Sequence, residues 1–500
     1  MNQPDIIVVG SGNAALCAAI AALEKGAKVL IIEKANEQEM GGNSRYTAGA
    51  MRFVYNGNQD ILPLLKNPND KKIARTEFGT YTAGKFQIDL FGFNEGKPLS
   101  VHQQTLINKS TETMQWLASH HIKFDPIYSR QTFEKDGKYI FWGGLTLEAE
   151  GEGVGLVAAE LAEFKRLGGV IQYETAAEKL LTEDDKVIGV QCSTPDGTKD
   201  LYSKAVILGC GGFEANPEMR KKYIGEDWAH AMTRGTRHNM GKGIEMALEI
   251  GATPNGFFGG CHAVPMDKNM PNYGNLEIPY IDRKNYRKIC YFLGIMLNAN
   301  GERFLDEGIN FRNYTYAQFG RATIEQPGHF AWQIFDSKVD PLLYSEYRFW
   351  DASFVEADTL ETLVPKLDGV DGTKALATLQ AYNEAVDTQV AFDPTILDGK
   401  RTNGLAIDKT NWANRLDTPP FKAYPVTCGI TFTYGGLDID EKTGAVMRPN
   451  NNPIEGLYAC GELVGGVFYH GYPGGSGLTS GAVFGRIAGY GAASNNHATA

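Results

Sequence analysis

The sequence predicts an α/β chain: one strand–turn–helix domain, interrupted by an inserted α+β domain and completed after it. Three observations carry that expectation. A buried strand, a glycine turn and a small-residue helix open the chain. Residues 258–432 are richer in aromatics and prolines and lack that rhythm. Strand–glycine–helix texture then returns near the end. The expected division is 1–257, 258–432 and 433–500.

The opening unit is read from Asp5 to Glu33. Asp5–Val9 (DIIVV) has the continuous apolar run of a strand buried on both faces. Gly10-Ser11-Gly12-Asn13-Ala14-Ala15 is a tight turn, Ala14–Gly26 a helix, and Lys28–Ile32 a second strand ending at Glu33 and Lys34. This is a G-x-G-x-x-A dinucleotide fingerprint with its acid about 20 residues on. Gly10 permits the turn, Gly12 lets the backbone approach a pyrophosphate at the helix N-terminus, and Glu33 can accept from a ribose hydroxyl. The domain is therefore expected to be Rossmann-like.

Further elements follow in order. Gly41-Gly42-Asn43-Ser44 with Ala48-Gly49-Ala50-Met51 reads as a glycine-rich loop entering a helix. Residues 98–121 and 154–167 read as helices, and Val170–Glu174 as a strand. Val187–Cys192 and Asp200–Tyr202 read as a hairpin turning at Pro195-Asp196-Gly197. Ala205–Leu208 is another buried strand, running into Gly209-Cys210-Gly211-Gly212. Near the end come the strand Gly456–Cys460, Gly461-Glu462, and a Gly-Ser-Gly turn into a helix over 478–490.

Composition bounds the function. Net charge is −11, which argues against nucleic acid as a partner. Seven cysteines are scattered singly, with no C-x-x-C, so zinc, iron–sulfur and c-type haem spacings are absent and no metal site is expected. The first strand begins at once, leaving no room for a signal peptide, and the early apolar stretch is too short to span a bilayer. A cytoplasmic protein without direct membrane insertion is expected.

The pieces GSGNAA, IIEK (31–34), GGNSRYTAGAM (41–51), ILGCGGFEANPEM (207–219), NANGERFLDE (298–307), YGGLDI (434–439), LYACGELVGG (457–466) and GGSGLTSG (474–481) resemble the flavoprotein family of fumarate reductase and succinate dehydrogenase. The likeness covers nearly the whole chain. Within the family, GGNSRYTAGAMRF, FWGG (141–144) and FYHGYPGGSGLTSGAVFGRIAG look most similar to tricarballylate dehydrogenases, which oxidise a saturated tricarboxylate to cis-aconitate. The resemblance implies an FAD-binding domain of glutathione-reductase type with an inserted substrate-capping domain.

It also implies site residues. Beside Gly10, Gly12, Asn13, Ala14, Ala15, Glu33 and Lys34, the FAD set would include Gly41, Gly42, Asn43 and Ser44 at the pyrophosphate, and Ala48 and Gly49 along the flavin. Ala177 would make the adenine contact, with Gly211 beside the cradle. Glu462 would hold the ribityl, and Ser476, Gly477 and Leu478 would point a helix at the pyrimidine edge. Some relatives attach the flavin to a His after the first Gly-Gly. No His lies between 34 and 101 here, so FAD is expected to be noncovalent.

For chemistry, the resemblance implies hydride transfer at flavin N5 and proton transfer at an Arg after the G-x-R-F-x-x-E block. That block is Gly301–Glu307, containing Arg303, and the candidate Arg is Arg312. His262 occupies the position of a substrate-carboxylate His. Arg283 and Arg287 are candidate carboxylate clamps, while Lys284 and Lys288 are read as a solvated face. Two departures stand out: Phe432 fills a His position of fumarate reductases, and Tyr472 falls near an Arg position. Tyr472-Pro473-Gly474 is also similar to 3-ketosteroid dehydrogenases, which makes Tyr472 and His470 substrate or acid–base candidates. The expected activity is dehydrogenation of a C–C bond next to a carboxylate in a tricarballylate-like acid. The alternatives are a 3-ketosteroid 1-dehydrogenase and a soluble fumarate-type reductase. No second nicotinamide fingerprint is evident. Electrons are expected to pass to an external donor or acceptor, a membrane iron–sulfur or haem protein among the candidates.

Overall fold

A computed structural model describes residues 3–274 and 286–495. The chain forms two compact units. The first comprises Met1–Ile224, Gly235–Cys261 and Phe432–Ala500, the second Gly225–Arg234 and His262–Thr431. The segment 225–234 joins the second unit, although nothing in its sequence texture singles it out. Arg283 and Lys284 lie outside the described residues.

The first unit is built on a six-stranded sheet. Its order is Ala445–Met447, Pro453–Ala459, Ala205–Leu208, Ile6–Val9, Val29–Ile32, Val170–Gln172, parallel throughout except at the Ala445–Met447 edge. Ile6 is in register with both Ala205 and Val29. The three central strands are buried along their whole length, as their unbroken apolar runs require. Because the chain leaves Ile6–Val9 toward Val29–Ile32 on one side and adds Ala205–Leu208 on the other, a crevice opens at the carboxyl end of the first strand.

Two helices sandwich closely here. Asn13–Glu24 is buried from Ala15 to Ala22 and carries almost only alanine where it meets its neighbours. Ser476–Asn495 packs against it through glycines four apart. A Cβ at Gly485 would lie 2.4 Å from the Ala14 carbonyl oxygen, and one at Gly489 would lie 2.2 Å from that of Ala18. Backbone therefore touches backbone, and any side chain on that stripe would force the helices apart.

The Gly41–Met51 stretch departs from the expected helix. It forms a 3-10 turn, Gly42–Tyr46, and a two-residue strand, Ala50–Met51, paired with Leu147–Ala149. Thr47 Oγ1 donates to the Ser44 carbonyl at 2.8 Å and accepts from Gly49 N–H, while Gly49 sits at φ +66°. A right-handed helix cannot run through that residue. A further strand, Ala176–Glu183, begins a three-stranded sheet whose other members, Lys186–Thr194 and Gly197–Tyr202, form the expected hairpin.

The second unit is centred on the long strand Phe421–Thr433, most of which belongs to it. That strand is flanked by Met232–Thr233 and Phe330–Phe335, with Ile295–Leu297 beyond the latter, and it also pairs with Cys261–Asp267 and Val355–Ala357. The helices Arg312–Ile324 and Gly372–Ala385 belong to this unit. All seven cysteines are free thiols. No helix among the described residues is long and apolar enough to cross a membrane.

Candidate functional site

The first unit carries a cradle at the end of its first strand. Gly10 sits at φ +102°, and a Cβ there would meet the Gly209 carbonyl oxygen at 2.6 Å, so the turns after two adjacent strands can touch only through glycine. Gly12, the residue that caps the following helix, has no side chain to accept from its first turn. Of that turn, Asn13 N–H donates to Ser44 Oγ at 3.0 Å, and Asn13 Nδ2 donates to the Leu478 carbonyl at 2.8 Å. The fingerprint turn, the Gly41–Ser44 loop and the start of the last helix are thus tied at one residue. Ala14 and Ala15 follow with small side chains, leaving a helix N-terminus with the partial positive charge that suits a pyrophosphate.

Glu33 is buried and already engaged. Ser11 Oγ donates to Oε2 at 2.5 Å and Ala35 N–H donates to Oε1 at 2.7 Å, while Gly41 N–H donates to Ser11 Oγ at 2.9 Å. Each carboxylate oxygen has capacity for a second donor such as a ribose hydroxyl. Lys34 points to solvent. Ala177 lies in the three-stranded sheet, paired with Cys192. Its chain reaches the cradle through Thr175 N–H, which bonds the Glu33 carbonyl at 2.8 Å.

The far wall is built on glycines and the half-buried Glu462. Glu462 follows the strand Pro453–Ala459, and its Oε1 accepts from Thr433 N–H at 2.7 Å and Thr433 Oγ1 at 2.9 Å. A Cβ at Gly212 would fall 2.1 Å from both Glu462 Oε1 and Thr433 Oγ1, and one at Gly211 would fall 2.4 Å from Asn239 Nδ2. Ser476 Oγ bonds the Pro473 carbonyl. The nearest neighbours of a Cβ at Gly477 would be Phe432 and Tyr472, at an unstrained 3.7 Å. Those two rings, with Phe468 and Tyr434, form an aromatic cluster: Phe432 and Tyr472 lie near-parallel at 6.2 Å and Phe468 meets Tyr472 at 5.1 Å. His470 meets the Phe257 ring at a tilt, 4.7 Å between centroids, and faces Glu95 at 3.3 Å.

Arg52, which sequence reading passed over, braces this wall. It is fully buried, donates from Nε to the Gly474 carbonyl and from Nη1 to that of Gly143, both at 2.7 Å, and lies 4.7 Å over the Tyr81 ring. It therefore joins the AGAMR, FWGG and YPGG motifs. A single buried Arg has no periodic signature; its presence in a run shared with flavoproteins was the available signal.

In the second unit, Arg312 opens the helix Arg312–Ile324 and is buried. Its guanidinium lies 5.2 Å over the Tyr344 ring, and Nε and Nη2 have no hydrogen-bond partner among the described residues. Burial works against its charge, but the neighbouring Tyr344, Tyr291, Cys290 and Tyr316 outweigh that and hold its pKa above the ordinary value. Arg312 is thus a protonated cation at the positive end of a helix dipole, an arrangement that calls for an anion.

His262 is also buried, edge-on to Tyr316 at 5.0 Å. Burial, reinforced by Arg234 and Arg287, pushes its pKa well below the ordinary value, so its imidazole is neutral. Arg234 was not singled out from sequence. Arg287 pairs with Glu346 at 2.8 Å, which limits it as a free clamp. Lys288 corrects the expectation of a solvated face: it is 1% exposed, bonded to the Glu346 carbonyl at 2.7 Å and 3.5 Å from Asp267. Arg303 is likewise a brace. All three of its nitrogens are bonded, to Glu307 and to the carbonyls of Ile407 and Leu305.

A glycine-capped helix after the first strand, an acid at the end of the second, and a half-buried Glu beside the last helix define a dinucleotide cradle that fits FAD. The chain belongs to the FAD binding domain family, whose model matches residues 5–478. FAD is its cofactor. It is similar to the NADH:fumarate oxidoreductase of Klebsiella pneumoniae (strain 342), with 27% identity over 98% of this chain and 47% of that protein. The chain thus spans about half the length of that relative. Among solved structures, the open conformation of a flavocytochrome c3 fumarate reductase matches with 25% identity and a TM-score of 0.74, over 100% of this chain and 79% of that one. The 3-ketosteroid Δ1-dehydrogenase of Sterolibacterium denitrificans shares the fold at 21% identity and a TM-score of 0.75, over 99% and 100%.

Proposed function

We propose that this chain is an FAD-dependent oxidoreductase acting on a C–C bond next to a carboxylate, with a tricarballylate-like acid as substrate class and an external electron carrier. The observation that carries this reading is Arg312: a buried, protonated guanidinium with two unsatisfied nitrogens at a helix N-terminus. Bound FAD supplies hydride acceptance or donation at N5. Arg312 holds the proton for the neighbouring carbon. Because it rests protonated, it gives that proton in the reductive direction and must first lose it to act in the oxidative one. His262, neutral, offers an N–H to a substrate carboxylate without a further charge, and Arg234 supplies the positive potential beside it. Preorganised donors of this kind stabilise enolate-like charge as it develops.

A second reading rests on the aromatic cluster. Phe432, Phe468 and Tyr472 beside Gly477 suit a flat apolar substrate, with the Tyr472 hydroxyl polarising a ketone. Anaerobic bleaching of enzyme-bound FAD with tricarballylate, succinate and a 3-ketosteroid, and reoxidation of reduced enzyme with the matching unsaturated compounds, separates the readings. On the carboxylate reading, Arg312→Ala and Arg312→Lys keep FAD but lose turnover by roughly 100-fold to 10,000-fold. Response to the ketosteroid alone, or near wild-type turnover in Arg312→Ala, overturns it.

A further inference from the structure

A fully buried acid stands behind the fingerprint helix. Glu160, on the helix Glu152–Arg166, is 0% exposed, and its Oε2 has no hydrogen-bond partner among the described residues. Its Oε1 lies 3.5 Å from Sγ of Cys17, on the helix Asn13–Glu24. Cys17 Sγ in turn lies 3.6 Å from Asn13 Oδ1, one turn earlier on the same helix. The Asn13 amide is oriented, because its Nδ2 donates to the Leu478 carbonyl at 2.8 Å; its Oδ1 faces the sulfur and can only accept. The hydrogens can then be counted. The thiol has one, and two oxygens face it. If it donates to Asn13, the contact with Glu160 needs a hydrogen from the acid. If Glu160 were ionised, it would take the thiol hydrogen and leave Asn13 Oδ1 without one. An ionised carboxylate here would also be a buried charge whose only donor among the described residues is a weak S–H, with no cation paired to it.

We propose that Glu160 keeps its proton and donates it in a hydrogen bond to Cys17 Sγ, so that the thiol hydrogen goes to Asn13 Oδ1 and the relay holds the Asn13 amide toward Leu478. Glu160 is thus a positioning residue for the nucleotide cradle, acting through two side chains. This rests on the reading of the cradle as the flavin site. Asn13 is where the fingerprint turn, the Gly41–Ser44 loop and the last helix are tied. With its amide turned over, the oxygen would oppose the Leu478 carbonyl, and the start of the helix Ser476–Asn495 would lose that tie. Burial keeps both protons in place. It pushes the Glu160 carboxyl well above the usual carboxylate range and, with Glu160 alongside, the Cys17 thiol well above its own. The other groups acting on the thiol are Cys460, whose Sγ lies 3.5 Å from the Ala14 carbonyl oxygen, and Arg486, whose Nη1 is held by Glu112 at 2.8 Å. Neither offers Glu160 a counter-charge.

Infrared difference spectra of the flavin-free protein test the relay directly. Wild type minus Glu160→Gln should show a protonated-carboxyl C=O band at pH 7 and still at pH 9. Cys17→Ala should shift that band to higher frequency, because the acid loses its acceptor. The S–H band that Cys17→Ala removes should move in Glu160→Met, which keeps the bulk and lacks the proton. It should largely stay in Glu160→Gln, whose amide donates to the sulfur in place of the acid. FAD affinity, read by flavin fluorescence on reconstitution, should remain within about threefold of wild type in Glu160→Gln and fall about tenfold in Glu160→Met, the scale of one hydrogen bond. Absence of the carboxyl band in the wild type, its loss between pH 7 and 9, or a band indifferent to Cys17→Ala overturns the proposal, and these readouts need no folded Glu160→Met. Undiminished FAD affinity in a folded Glu160→Met protein overturns the positioning role. A wild type that shows the bands yet takes up no FAD fails the reading of the cradle instead.

Discussion

Replacing Arg303 with Met separates a brace from a reacting group. The guanidinium is 5% exposed and its partner Glu307 is 0% exposed. Two of its bonds go to that carboxylate, at 3.1 and 2.5 Å, and one goes to the Ile407 carbonyl at 2.5 Å. Arg303→Met keeps the packed stem and removes the charge, leaving the Met296 N–H at 2.8 Å as the hydrogen-bond donor to Glu307 among the described residues. Breaking one side of a buried pair costs about 3–5 kcal/mol. For a unit of this size each kcal/mol moves the midpoint by about 2–4 °C, so the second unit should melt roughly 6–20 °C lower. Adding Glu307→Gln removes the stranded charge and keeps an acceptor for Met296 N–H, so the double variant should recover more than half of the loss. Thermal unfolding followed by circular dichroism reads both. An Arg303→Met protein with an unchanged melting profile and abolished turnover would refute the brace and restore Arg303 as a group at the reacting centre.

Two further outcomes follow from the site. Acid or heat denaturation should release FAD into the supernatant, because no His stands in the loop where relatives attach it; yellow colour retained by the precipitated chain would contradict this. His262 has a folded pKa well below its unfolded value of 6.5. Its contribution to stability is therefore complete above pH 6.5 and drains away as pH falls toward the folded value. Urea midpoints of the wild type should drop between pH 7 and 5, and His262→Gln should drop less; equal slopes would count against a neutral buried imidazole.

Local pattern made much of the first unit legible. The strands Ile6–Val9, Val29–Ile32 and Ala205–Leu208 are four-residue apolar runs, two of them running straight into glycine, which suits strands buried on both faces. The strand Ala176–Glu183 was not legible, because its alternation is blurred by exposed Lys and Glu on a sheet that shows one face to water. The Gly41–Met51 loop misled because small residues also suit helices; what stops a helix there is the geometry of Gly49 and Thr47. Arg52, Arg234 and Glu160 escaped for a different reason. Each takes its meaning from partners brought near only by the fold, and a buried polar residue looks in sequence like an exposed one. Lys288 is the converse case: a lysine in a basic run that folding carries inside to Asp267.

The glycine stripe on the helix Ser476–Asn495 has a consequence for synthesis. That helix and the strand Pro453–Ala459 are made long after Ile6–Val9, yet the two strands belong to one sheet. The opening strand, turn and helix therefore leave the ribosome without their neighbours. At about 5–20 residues per second, they wait tens of seconds for the segment Pro453–Asn495. Over that interval the alanine face of Asn13–Glu24 has no glycine face to meet, and the pyrophosphate turn lacks its tie to Leu478. The inserted unit, read out in the middle, has time to fold first. Closure of the cradle thus waits on the helix Ser476–Asn495, since the tie from Asn13 to Leu478 can form only once that helix is in place.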